Sequence, residues 1–310
     1  MGKYSNTRCR IEKNKIYINN KIYKKGPVLL CLLVWLNAPA QVVADTLKMG
    51  INDHNTIYVT TVFNKKDTLT LNFDTGCTDL ILTTDVLKNK LREEVKLYNT
   101  DYSLEIGQSV FFTRVYDAQL TGHGTEGRFG WNFFSDKTVE LNYDSGTMVI
   151  HNELPNEVLK NDTYTRLPFK IMEGIPFIEA EIIQNNKNLK DYFLFDTGYQ
   201  RTAMLDNEEL LKNGFPEMKE LNRVMMRGGQ GNEVPVITSE LQVLKIGSFK
   251  LENVPVQQIT GNKPMKNRNA HILGNEVLKR FNVFMDYKNG FVYLKPNHLF
   301  NMDYIETKKS

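Results

Sequence analysis

The chain has 310 residues and a formal net charge of +3, a length that suits two modest domains. Residues 1–40 carry eight Lys/Arg and one Glu, so residues 41–310 are net −4; a mildly acidic body argues against a nucleic-acid binder, which needs a basic face. Only Cys77 of the three cysteines (Cys9, Cys31, Cys77) lies beyond residue 40, which excludes a disulfide framework in the body.

In chain order, the first feature is a secretory-type leader. Lys24 and Lys25 precede an apolar run from Val28 to Leu36 that is too short for an ordinary membrane span. Ala38-Pro39-Ala40 then supplies small residues for cleavage. The expectation is a signal peptide over 1–40, cleaved near Ala40, and export to the periplasm or the exterior; an uncleaved anchor is the alternative. Strands are predicted at 47–52, 56–63 and 68–74. Thr83-Thr84-Asp85 offers N-caps for a helix through about Glu94, and Asp206 caps a second helix that stops near Gly214. Residues 152–165 are polar, contain a proline and lack periodicity, and read as a linker. The end of the chain, 299–310, reads as a loose tail.

The triplet Asp-Thr-Gly occurs twice, each time after an apolar run: Leu71-Asn72-Phe73-Asp74-Thr75-Gly76 and Phe193-Leu194-Phe195-Asp196-Thr197-Gly198. At roughly 5% usage per residue type, a given tripeptide is expected about 0.04 times in such a chain. The surroundings repeat too. Gly127-Arg128-Phe129-Gly130 and His271-Ile272-Leu273-Gly274 open stretches that align without a gap, with Tyr143 on Tyr287 and Gly146 on Gly290. Ile106-Gly107 corresponds to Ile246-Gly247, and the segments that follow end in Thr121-Gly122 and Thr260-Gly261. One β-rich unit is written twice, with boundaries at 41–151 and 166–298.

The two copies differ in one place. From Asp196 to Ile246 there are eighteen more residues than from Asp74 to Ile106. The surplus holds two β-type runs around Arg227-Gly228-Gly229-Gln230-Gly231, the pattern of a hairpin with a glycine-rich tip.

With these motifs the chain resembles the pepsin/retropepsin aspartic proteases, and more closely bacterial secreted retropepsin-like proteins with both lobes on one chain. The resemblance covers residues 46–296. It implies a mostly β fold of two pseudo-symmetric lobes with the active site in the cleft between them. It implies an aspartic endopeptidase in which Asp74 and Asp196 share one proton and activate a water. Thr75 and Thr197 would cross-link the two active turns, and Gly76 and Gly198 would let the backbone approach the dyad. Arg227 to Gly231 would form the flap over an extended peptide or protein substrate, and Arg223 and Arg227 would favour acidic substrate groups or stand as solvated charge. No metal or cofactor is implied, and a monomer is expected because both lobes are present.

Three positions depart from the family pattern. Arg128 stands where an apolar residue is usual, and Cys77 and Tyr199 stand where pepsin-like enzymes place Ser or Thr. Cys77 reads either as a catalytic thiol or as a small buried residue, and Tyr199 as a residue able to narrow the cleft. The scattered histidines form no metal motif, so His123 reads as a loop residue. A phosphate loop around Gly228–Gly231 lacks the Gly-Lys-Ser/Thr it would need, and an acyl-transfer hydrolase lacks its nucleophile motif. The rival functional reading is a retropepsin-like module that holds an extended peptide with little or no cleavage.

Overall fold

The computed structural model describes residues 17–18, 21–22, 44–259 and 269–307. β1 (Tyr17–Ile18) and β2 (Lys21–Ile22) pair antiparallel within a unit of residues 1–41; the other elements belong to the unit from residue 42 onward. Apart from those two short strands, the expected leader lies outside the described residues, as does Thr260-Gly261. No helix among the described residues is long and apolar enough to cross a membrane.

The fold is mostly β. β3 (Asp45–Lys48), β4 (Gly50–Ile51), β5 (Ile57–Phe63), β6 (Asp67–Phe73) and β7 (Leu80–Thr83) precede α1 (Thr84–Asn89). β8 (Asp101–Ile106), β9 (Ser109–Ala118) and β10 (Gly127–Phe129) follow. Six of these strands close into a barrel in the order β5-β6-β10-β7-β9-β8, with β8 returning to β5 through Phe63↔Leu104. Alternation drives the closure. β5 buries Ile57, Val59, Thr61 and Phe63 and turns the residues between them outward. Its apolar face meets Leu69, Leu71, Phe73, Leu104 and Val115 in one core. Full burial of each such side chain contributes about 1.5–3 kcal/mol.

β11 (Thr138–Asn142), β12 (Thr147–His151), α2 (Asn156–Leu159) and β13 (Thr165–Met172) lead to the second copy. It comprises β14 (Ile175–Gln184), β15 (Lys187–Asp196), β16 (Ala203–Leu205), α3 (Asn207–Lys212), β17 (Lys219–Arg227), β18 (Glu233–Ile246), β19 (Phe249–Ile259) and β20 (His271–Gly274). The pairing order β14-β15-β20-β16-β19-β18, closed by Ile182↔Leu244, repeats the first ring strand for strand. After α4 (Asn275–Leu278), β21 (Phe281–Asp286) and β22 (Phe291–Pro296) complete an antiparallel run β13-β22-β21-β11-β12-β3. Its middle pair, β11 and β21, aligns Val139 with Met285 and Leu141 with Val283. The duplication in the sequence is therefore a duplication of strand pairing.

Several local expectations change. α1 ends at Asn89 and not near Glu94, because Leu91 turns back onto the core and the Arg92 backbone and guanidinium face Asp67. α3 keeps its expected ends: the Asp206 carboxyl accepts from Glu209 N at 2.9 Å, and Gly214 takes the left-handed turn. The linker holds the single turn α2.

The described part of the tail is docked. Arg280 is buried, donates to the carbonyls of Leu299, Phe300 and Met302, and stacks on Tyr304 at 4.1 Å. A buried guanidinium must find acceptors; Glu276 supplies its carbonyl and carboxylate, and the carbonyls of Leu299, Phe300 and Met302 supply the rest.

Candidate active site

Asp74 follows β6 directly, and its backbone N–H donates to Phe129 O at 3.1 Å. Asp196 ends β15, in parallel register with Gly274 of β20. Each turn thus has a rigid mount. Under the first, Phe73 and Phe129 stack at 5.3 Å with Phe134 against both. Gly130 and Gly274 are needed because the chain after each triplet passes over them. A Cβ on Gly130 would lie 2.5 Å from Thr78 Cα, and one on Gly274 would collide with the Arg201 carbonyl.

The two turns interlock. Thr75 N donates to Thr197 Oγ1 at 3.0 Å, and Thr197 N donates to Thr75 Oγ1 at 3.0 Å. The Thr75 hydroxyl donates to Phe195 O, and the Thr197 hydroxyl to Phe73 O at 2.7 Å. All four groups are buried, so each bond also removes a desolvation penalty of about 1–3 kcal/mol.

This exchange brings the carboxyls together. A Cβ on Gly76 would lie 2.7 Å from Asp196 Cγ, and one on Gly198 would overlap the Asp74 carboxyl. Each aspartate therefore rests on the other's glycine. Asp74 Oδ1 accepts from Gly76 N at 2.9 Å; Asp196 Oδ1 accepts from Gly198 N at 2.8 Å and Tyr199 N at 3.0 Å. All six residues expected at the paired turns are thus assembled in one place.

The electrostatics are asymmetric. Desolvation, then the nearby Asp74 charge, pushes the Asp196 carboxyl up to about 8, against the pull of its two backbone donors and of Arg128. Arg128 Nε lies 3.5 Å from Asp74 Oδ2. The Arg128 departure is therefore an ion pair with one member of the carboxyl pair. Its twin Ile272 packs in an apolar cluster with Phe177, Leu194 and Met204. Burial thus favours the neutral form of Asp196, while Arg128 lies beside Asp74.

Cys77 donates its thiol to Asp74 O at 3.4 Å, and burial followed by the Asp74 charge pushes its pKa well up. A raised pKa disfavours the thiolate and so speaks against a nucleophile, while the residue itself is half-buried. The Tyr199 hydroxyl donates to Gln257 and makes no hydrogen bond to either carboxyl; its ring packs over Gly274. His123 sits in the loop after β9, its ring 4.2 Å from that of His54 and its pKa lowered, chiefly by desolvation. Among the described residues, no group of three or more His, Cys, Asp or Glu is placed to hold a metal.

The eighteen-residue surplus forms the hairpin β17–β18, whose tip turns through Gly228 N to Asn232 O at 2.9 Å. Gly229 O accepts from Gln119 N at 3.1 Å and Leu120 N at 3.0 Å. The tip thus reaches the first ring beside Arg128, where a Gly229 Cβ would lie 3.6 Å from Arg128 Nη2. Gln230 points outward and is exposed. Arg223 forks onto Glu220 at 2.7 Å, and Arg227 pairs with Glu233 at 3.2 Å. Both cations are neutralised within the hairpin, which favours solvated charge over an acidic-substrate role.

Sequence reasoning missed three contributors. Gln119 and Leu120 hold the hairpin tip through backbone groups, for which no side-chain signal exists. Asn55 ties the rings together: its side chain donates to Gln200 O at 2.9 Å and its carbonyl accepts from Asn275 Nδ2 at 2.6 Å. Arg128 did carry a signal, a charge in an apolar slot. No family model matches the chain, and no curated protein matches it.

Proposed function

We propose that this protein is an aspartic-type endopeptidase with two retropepsin-like lobes, each lobe one six-strand ring with its Asp-Thr-Gly turn. The observation that carries the reading is the reciprocal seating of the turns, in which each carboxyl rests against the other's glycine. Two carboxyls so close ionise together only at high cost, so they hold one proton between them. Asp74, facing Arg128, carries the charge and takes a proton from a water as it attacks the peptide carbonyl. Asp196, neutral because it is desolvated, gives its proton to the developing oxyanion. Proton return to the amide nitrogen releases the amine. The reaction needs no covalent intermediate.

The hairpin tip covers the same space as a flap. An extended peptide would enter between flap and dyad, replacing the bonds of Gln119 and Leu120 to Gly229 and pairing with exposed backbone. Export with removal of residues 1–40 belongs to this proposal.

A second reading is a peptide-holding module with little turnover. The Arg128–Asp74 pair favours it, because a carboxylate held by a guanidinium is a weaker base. Incubation with a diverse peptide library, with products read by mass spectrometry, separates the two. The expected result is internal cleavage with one oxygen from labelled water in each new carboxyl. Peptides recovered bound and intact would support the module.

A further inference from the structure

We infer that Arg128 is a specificity residue that anchors a substrate carboxylate beside the scissile bond; this rests on the aspartic-peptidase reading. The guanidinium uses only one edge on the dyad. Its Nε, buried and without a hydrogen bond, faces Asp74 Oδ2 at 3.5 Å, and Nη1 and Nη2 lie 3.9 and 3.6 Å from the place a Gly229 Cβ would take. Arg128 keeps 26% of its side-chain surface exposed although its Nε is buried. Two parallel N–H groups on a planar cation match the two oxygens of a carboxylate. Arg223 and Arg227, the cations on the flap itself, are already paired with Glu220 and Glu233.

The other copy sets the contrast. Ile272 occupies the twin position among Phe177, Leu194 and Met204, with Tyr199 and Met226 of β17 packed against them. The first copy thus places a cation where the second places a buried apolar side chain. A peptide with an acid on one side of the scissile bond and an apolar residue on the other satisfies both positions and is held in one register. A lysine or arginine at the Arg128 side meets a like charge in a poorly solvated site. Two sources supply the carboxylate: a Glu or Asp side chain, or the C-terminus of a short peptide.

The test uses matched peptides with Glu, Gln or Lys at the position beside the cleaved bond, each with a free and an amidated C-terminus. Wild type is expected to prefer Glu over Gln by about 10- to 100-fold in kcat/KM. Arg128→Ile, which installs the twin's residue, should bring that ratio to one or below. Arg128→Lys should keep part of it, because charge remains while the fork is lost. The ratio between two substrates cancels any general change that the variant makes at Asp74. A preference that follows Glu assigns the side chain; one that vanishes on amidation assigns the C-terminus. The same Glu/Gln ratio and the same free/amidated ratio in wild type and Arg128→Ile overturn the inference.

Fluorescence anisotropy with the same peptides separates this inference from the enzymatic reading. Glu-selective binding that Arg128→Ile abolishes, without cleavage, keeps the anchor and removes the peptidase. Cleavage with no preference for Glu over Gln and none for a free over an amidated C-terminus keeps the peptidase and removes the anchor. Neither cleavage nor Glu-selective binding removes both.

Discussion

Asp74→Asn and Asp196→Asn are each expected to lower kcat for peptide cleavage by about 10³-fold or more, with a much smaller change in KM. In the proposed reaction the two carboxyls work as one unit, base and acid, and an amide can be neither. Both variants keep the local hydrogen bonds: the amide oxygen of Asn still accepts from Gly198 N and Tyr199 N, or from Gly76 N. The effects are not equal in stability. Asp74→Asn leaves Arg128 without its counter-charge and should melt below wild type. In wild type, activity should fall as pH rises through about 8, where Asp196 gives up the proton that the reaction needs. Steady-state kinetics against pH on one cleaved peptide measures the rate losses and the pH dependence, and thermal melting measures the stability difference. Loss of activity in only one of the variants would mean that a single carboxyl suffices.

The second large effect is on stability and has a defined sign. The Asp196 carboxyl has its folded pKa raised from 3.8 to about 8. Between those values the folded protein binds more protons than the unfolded chain, so stability falls as pH rises. The contribution is fully present below pH 3.8 and is lost by the time pH passes 8. Asp196→Asn removes this titration. At pH 7 the variant should therefore melt above wild type, by about 5 °C or more. The gap should close as the pH is lowered to 4. Differential scanning calorimetry across pH 4–8 reads it directly. A wild-type advantage at pH 7 would show that the charged carboxyl is well solvated, and the desolvated dyad would have to be abandoned.

Much of this architecture could be read before any coordinates. The repeated triplets, the aligned Gly130 and Gly274 and the paired Ile-Gly turns mark equivalent points of one folding unit. Both copies form the same ring of strands. The surplus after Asp196 is a hairpin, as the glycine-rich centre indicated, since only such a tip turns so tightly. What stayed hidden depends on contacts between distant residues. Arg128 reads as a flaw in an apolar motif until Asp74, fifty-four positions earlier, is seen against it. The tail reads as loose because its polar composition says nothing of a buried guanidinium at Arg280 that needs its carbonyls. The Arg223 and Arg227 charges looked available, and only the hairpin register shows their partners, Glu220 and Glu233, at hand. Local pattern specifies strands and turns; the pairing of charges is settled by which strands meet.

The most direct test is the binding of a statine-type peptide, whose hydroxyl takes the place of the attacking water between the two carboxyls. A titration at pH 5 should show tight binding to wild type, weakened by about 100-fold in Asp74→Asn and again in Asp196→Asn. The double variant should lose little more than either single, because one shared proton holds the hydroxyl. Equal affinity for wild type and both variants would contradict a joint site and leave the two aspartates as structural turns.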